Sequence, residues 1–347
     1  MNSKYFCVLP WFSKESTLNG TTVCCLLPHG YSLETLRKDL LEGRPSDYCT
    51  KCWTIENSGH FSRRQQENLF LDYKLDKDIA NIEMMCKENL HSEMMYQITL
   101  SNLCNQACVT CSDKFSTKWA ELSRQFGQPA QKLKKNTVES LNIDYANAKR
   151  INILGGEPLF DPQLEVILSN LLAHNNTACF ISFVTNGSIK LSPRLLDLIS
   201  SFSDVNICVS IDGIESRFEY LRWPGKWPEL VVNLEQYRKV TNNKVSVSYT
   251  ISAVNAIYYD ETVAWFKSQQ LNYNHNIVYQ PSWASLQTMP LVIKNVLQHH
   301  AFFQPYVQSS LHQSSQMFVE HLKQQDQMKK VCFTQYLPDL AALLGHS

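Results

Sequence analysis

From Tyr96 to about Ser282 the chain alternates short apolar, β-branched runs with amphipathic helical runs, six times over. The strand candidates are YQITLS (96–101), RINILGG (150–156), ACFISFVTNG (178–187), VNICVSIDG (205–213), KVSVSYTISA (244–253) and NHNIVYQPS (274–282). Between and after them come KFSTKWAELSRQF (114–126), FDPQLEVILSNLLAH (160–174), SPRLLDLISSF (192–202), WPELVVNLEQYRKVT (227–241) and YYDETVAWFKSQ (258–269), all read as helices. Strands buried on both faces and joined by helical crossovers pair in parallel. A closed eight-unit barrel needs about 250 residues, more than this region holds. The pattern therefore predicts an α/β fold with an open, partial (β/α)6 barrel over 95–285. Residues 1–60 read as a small, loop-rich, cysteine-rich module. It has an Asn-Gly turn and short strand at NGTTVCC (19–25) and a capped helix at SLETLRKDLLEG (32–43). Residues 61–94 read as a polar helical connector, and 286–347 as a helical C-terminal extension.

Composition narrows the functions open to such a chain. Its 347 residues, 44% hydrophobic and 18% charged, describe a folded protein with a substantial core. Lys+Arg and Asp+Glu balance at 32 each, so no excess of positive charge favours nucleic acid as a partner. No run of about 18 apolar residues predicts a membrane span. The opening MNSKYFCVLPWF lacks the apolar stretch and cleavage site of a signal peptide, which predicts a cytoplasmic location. Twelve cysteines in a reducing compartment point to metal or cluster ligation rather than disulfides.

Three of them, Cys104, Cys108 and Cys111, fall in CNQACVTC just after the first strand. Twelve randomly placed cysteines would show this spacing roughly 0.01 times per chain, so coincidence is a weak explanation. Three thiolates on one loop can hold one face of a cube-shaped iron–sulfur cluster and leave its fourth iron open to a ligand. Zinc with a remote fourth ligand is the alternative on spacing alone.

CNQACVTC, LGGEPL (154–159), FVTNGS (183–188) and VSIDG (209–213) together resemble, in order and spacing, the motifs of radical S-adenosylmethionine (SAM) enzymes across residues 96–285. That resemblance implies a TIM-like partial barrel and a [4Fe-4S] cluster on Cys104, Cys108 and Cys111. SAM would chelate the open iron and be cleaved reductively to a 5′-deoxyadenosyl radical, which abstracts hydrogen from a substrate. By motif position it implies that Gly155, Gly156 and Glu157 meet the SAM amino group. Ser210 would meet the ribose or carboxylate, and Arg222 the carboxylate. Thr185, Asn186 and Ser252 are further candidates at strand ends. It also implies an electron donor such as flavodoxin or ferredoxin. The chain departs from the family at Thr110, where an aromatic or large apolar residue usually packs near the adenine. Each motif has an ordinary structural counterpart: a strand-to-loop turn at Gly155-Gly156, turn signals at Asn186-Gly187 and Asp212-Gly213, and a surface arginine at Arg222. Cys179 and Cys208 read as buried core thiols. The histidines, including His299-His300, show no ligand spacing.

The remaining cysteines form a second pattern: FCVLPW (6–11), Asn19-Gly20, Cys24-Cys25 and CTKCW (49–53). It resembles the SPASM or twitch auxiliary-cluster module of radical SAM enzymes, placed here before the barrel. The resemblance implies a second [4Fe-4S] cluster on Cys7, one or both of Cys24 and Cys25, Cys49 and Cys52. A zinc knuckle on Cys49 and Cys52 is the alternative. Members with auxiliary clusters often modify peptides, which implies a peptide or protein side chain as substrate. A sugar or amino acid, RNA, or a non-catalytic zinc-binding role remain as alternatives.

Overall fold

The computed structural model describes residues 4–57 and 61–346; the expected junction between the N-terminal module and its connector, near residue 60, lies outside the described residues. The fold is α/β, around a mostly parallel sheet of eight strands: β1 (Ser13–Thr17), β2 (Gly20–Thr22), β3 (Met95–Thr99), β4 (Arg150–Leu154), β5 (Phe180–Thr185), β6 (Val205–Ser210), β7 (Val245–Ile251) and β8 (Asn272–Ile277). Their order across the sheet is β2-β1-β3-β4-β5-β6-β7-β8. Strands β3 to β8 are the six read from the alternation. β6, β7 and β8 pair in parallel, as do β1 and β3, while β1 and β2 form an antiparallel hairpin closing at Asn19-Gly20.

The sheet thus has two more strands than the alternation supplies. The reason is chemical. β1 reads SKEST and β2 GTT, with no apolar period to announce them. Glu15 on β1 is nevertheless fully buried, which is tolerable because Arg63 pairs with its carboxylate and the Gln97 amide donates to it at 2.9 Å.

By contact the chain divides into two compact units. One comprises Met1–Thr99, Asn136–Asn152 and Ser169–Ile181, the other Leu100–Lys135, Ile153–Leu168 and Ser182–Ser347. The first unit has its own core of Phe6, Val8, Leu9, Trp11, Phe12, Leu36, Leu40, Leu71, Ile82 and Met95. In the second, the inward positions of β6 and β7 (Val205, Ile207, Val209; Val245, Val247, Tyr249, Ile251) are buried, as are Leu230, Leu234 and Tyr237 on the helix Trp227–Val240. No helix among the described residues is long and apolar enough to cross a membrane. In mostly parallel sheets the strand ends and the loops after them carry the chemistry; here Thr185 and Ser210 end β5 and β6, and Cys104, Gly155 and Ser252 lie in the loops after β3, β4 and β7.

Candidate active site

The loop after β3 is held from several sides, all within the second unit. Where β4 ends, Gly156 N donates to Ser101 O and Glu157 N to Leu103 O, both at 2.8 Å. Gly156 lies so close to this loop that a Cβ there would stand 2.4 Å from Leu103 O, which is why the position needs glycine. Farther along, Ala107 N donates to Trp223 O at 2.7 Å and Val109 N to Leu221 O at 2.8 Å. The helix Thr117–Gln125 starts under the loop: Ser116 Oγ accepts from Trp119 N as its cap and donates to Gln106 O. Trp119 Nε1 donates to Cys108 O at 2.8 Å. A loop with this many fixed carbonyls and amides presents its side chains at set positions.

Cys104, Cys108 and Cys111 line one cavity of about 410 Å³, with Gln106, Thr110, Phe115, Leu154, Gly155, Gly156, Val184, Thr185, Asn186, Ser210 and Arg222. The volume falls in the range of small-molecule sites, about 300–1,000 Å³. Burial pushes the Cys104 and Cys111 thiols up to about 12, neighbouring thiols adding to the effect, and raises Cys108 against the pull of Arg222. Thiols this reluctant to ionise do so when a metal centre supplies the positive charge. Among the described residues no three His, Cys, Asp or Glu side chains converge on a point as ligands of a single ion would. The triad instead lines a wall, and a cube-shaped cluster takes its thiolates at separate iron corners. Among the described residues no fourth Cys and no His lines this cavity. The donor set therefore fits a cluster with one open iron.

The expected SAM contacts are not all brought together. Gly155, Gly156, Thr185, Asn186, Ser210 and Arg222 line the cavity. Glu157 lies behind its wall, 1% exposed. Its carboxylate accepts from Leu159 N at 3.0 Å, Thr185 Oγ1 at 2.8 Å and Asn186 N at 2.6 Å, bracing the end of β4 against the end of β5. Burial raises this carboxyl to about 7, with the three donors opposing. Ser252 also stands apart from the lining; its hydroxyl donates to Asn255 Oδ1 at 3.0 Å and accepts from Val254 N at 3.2 Å, closing the turn after β7.

Arg222 is buried, not a surface residue. Asp212 holds it through two contacts, Nη2 to Oδ1 at 3.0 Å and Nε to Oδ2 at 2.9 Å, leaving Nη1 at 3.9 Å from Cys108 Sγ. Burial alone would weaken its charge, but the Asp212 carboxylate raises its pKa further. Asp212 is fixed in turn by Thr250 N at 3.0 Å. As the first half of a turn-type Asp-Gly pair it gave no sign of this role. Phe115 is a second lining residue without a sequence signal: it stands 62% exposed at the cavity while Thr110 occupies the usual aromatic position. Lys329, far along the chain, is buried near the same loop; burial pulls its ammonium down to about 7, opposed by the Cys108, Asp326 and Cys111 charges.

In the first unit, Cys7, Cys24, Cys49 and Cys52 line a second, much smaller cavity of about 20 Å³, together with Leu9, Pro10, Leu27, Leu36 and Arg64. Burial pushes Cys24 and Cys49 up to about 12 and raises Cys7 as well, with the neighbouring thiols of Cys24, Cys49 and Cys52 adding to the shift at Cys7. Cys25 is not part of that lining. Its sulfur accepts from Arg63 Nη1 at 2.6 Å, on the guanidinium that pairs with Glu15.

A cysteine loop thus follows a strand of an α/β sheet and faces a cavity lined by the ends of the next strands. Residues 98–265 match the family model described as the Radical SAM superfamily. Among solved structures, the chain is similar to native anSMEcpe with bound AdoMet, at 15% identity and a TM-score of 0.42, over 59% of this chain and 58% of that one. It is similar to Streptococcus suis SuiB bound to S-adenosylmethionine, at 12% identity and a TM-score of 0.39, over 67% of this chain and 51% of that one. A radical SAM methyltransferase from Sphaerobacter thermophilus matches at 15% identity and a TM-score of 0.29, over 64% of this chain and 58% of that one. This chain therefore spans less than two thirds of the length of each. The comparison with curated proteins finds no match.

Proposed function

We propose that this chain is a radical SAM enzyme that uses two iron–sulfur clusters to oxidise or rearrange a peptide or protein side chain. The observation that carries the reading is the triad of thiols on one clamped loop, facing a cavity whose lining holds, among the described residues, no fourth Cys and no His. Cys104, Cys108 and Cys111 hold a [4Fe-4S] cluster. A cluster held there would supply the single electron that reductive cleavage of SAM to methionine and a hydrogen-abstracting 5′-deoxyadenosyl radical requires.

The chain's own residues bind and orient. Arg222, preset by Asp212, offers its free guanidinium edge to the SAM carboxylate. Gly155 and Gly156 let the backbone approach the amino group. Ser210, Thr185 and Asn186 supply polar contacts at the strand ends. Glu157 acts on this wall from behind, by bracing β4 and β5. Cys7, Cys24, Cys49 and Cys52 hold the auxiliary cluster, with Cys25 outside the ligand set. That reading rests on four thiols around one small cavity. A second cluster gives a substrate radical an electron acceptor, consistent with net oxidation. The peptide assignment follows the resemblance of the N-terminal cysteine pattern. A flavodoxin- or ferredoxin-type donor would supply the electron.

The test is anaerobic purification followed by iron counting and SAM turnover under dithionite. The expected result is about eight irons per chain, two [4Fe-4S] clusters, and release of 5′-deoxyadenosine. Alanine at Cys104, Cys108 or Cys111 removes about half the iron and all the cleavage. A colourless zinc protein, or triad variants that still cleave SAM, would end the proposal.

A further inference from the structure

The C-terminal extension brings a buried cation under the cysteine loop. Lys329 ends the helix Ser315–Lys329 and is 3% exposed. Its Nζ donates to Gln325 Oε1 at 2.7 Å and lies 4.8 Å from the centre of the Trp119 ring. The neighbouring carboxylate, Asp326, is turned elsewhere: it accepts from Tyr220 Oη at 2.9 Å and from Phe333 N at 2.7 Å. A buried ammonium without a carboxylate bonded to it is costly unless another negative charge is near.

The same helix turn is fastened to the loop. Gln325 Nε2 donates to Val109 O at 2.9 Å, and Trp119, whose ring faces the ammonium, donates to Cys108 O at 2.8 Å. Met328 packs with Cys111 on the small core of Ala107, Trp119 and Leu122. The loop's other cation, Arg222, already has its charge balanced by Asp212. Lys329 has no such partner, and its ammonium stands over the Trp119 ring whose Nε1 is bonded to Cys108 O.

We propose that Lys329 is a positioning residue for the cysteine loop, a built-in positive charge that offsets the thiolates and shifts the one-electron equilibrium of their cluster towards the reduced state. This rests on the cluster assignment above. Removing the charge makes reduction harder; removing only the contact to the loop does not.

The experiment is an EPR-monitored redox titration of the reconstituted full-length chain, following the reduced-cluster signal that added SAM perturbs. Lys329→Met and Lys329→Gln are expected to lower the reduced-to-oxidised ratio at fixed potential at least tenfold, a midpoint about 59 mV more negative for one electron. Lys329→Arg restores most of it. Trp119→Phe, which cuts the bond to Cys108 O and leaves the charge and a ring beside it, stays within about threefold of the wild type. Neutral variants that titrate with the wild type overturn the proposal. If they take up no SAM-sensitive iron, uptake by Lys329→Arg supports the requirement for charge, and failure of Lys329→Arg overturns it. A wild-type chain with no SAM-sensitive signal overturns the cluster assignment itself, and this inference with it.

Discussion

Replacing Gly156 with alanine tests how tightly β4 and the cysteine loop are locked together. The added Cβ would meet Leu103 O at 2.4 Å, Leu103 C at 2.7 Å and Asn102 C at 2.8 Å, all backbone atoms of the residues leading into Cys104. Backbone cannot swing aside as a flexible side chain can, so one of the two segments must move by several tenths of an ångström or more. Overpacking of this kind costs about 1–3 kcal/mol. The move also strains the bonds from Gly156 N to Ser101 O and from Glu157 N to Leu103 O, now 2.8 Å each, worth about 1 kcal/mol apiece. The total is about 3–5 kcal/mol. At about 2–4 °C per kcal/mol for a unit of this size, Tm falls by about 6–20 °C. The displaced atoms are the approach to Cys104, so iron uptake at the triad falls as well. Gly155→Ala is the internal control: its Cβ meets Ser101 O at 3.0 Å, a contact a small shift relieves, and its cost stays near 1 kcal/mol. Thermal unfolding and iron counting on both variants decide the matter. A Gly156→Ala protein with wild-type Tm and iron content would refute the close-approach argument.

Three further outcomes are expected. Asp212→Asn leaves Arg222 buried without its counter-charge and destabilises the protein by about 3–5 kcal/mol, read as a drop in Tm; a loss under about 1 kcal/mol would show that Arg222 does not depend on Asp212. Cys24→Ser is expected to lose the auxiliary iron while Cys25→Ser keeps it, because only Cys24 lines the four-thiol cavity; equal iron in the two variants contradicts that assignment. Phe115→Ala is expected to raise the Kd for SAM about 5- to 150-fold, the equivalent of about 1–3 kcal/mol for losing an aromatic ring stacked on a base. Phe115→Tyr keeps the ring and the affinity, and unchanged binding by the alanine variant removes Phe115 from the adenine site.

The strands and the chemistry-bearing loop are written locally, and so were legible in the sequence. Each of β4 to β7 is a run rich in apolar, β-branched residues, and burial of such runs needs no distant partner to be foreseen; β8, NYNHNI, is polar and largely exposed. The triad spacing is likewise a property of eight consecutive residues. What the sequence left open depends on residues far apart in the chain. β1 is polar and becomes a sheet strand because Arg63 and Gln97, brought from elsewhere, satisfy the buried Glu15. Cys24 and Cys25 are equivalent neighbours in sequence, and Arg63 Nη1 reaches both sulfurs, at 3.8 and 2.6 Å; the fold sets only Cys24 of the two in the cavity with Cys7, Cys49 and Cys52. Glu157 carries the motif's carboxylate, yet the Thr185 hydroxyl and the Asn186 amide at the end of β5 capture it behind the cavity wall. The pairing of Arg222 with Asp212, and the placing of Lys329 beneath Cys108 and Cys111, have no local signature at all. A charge can be buried only where its partners converge, and that convergence exists only once the chain has folded.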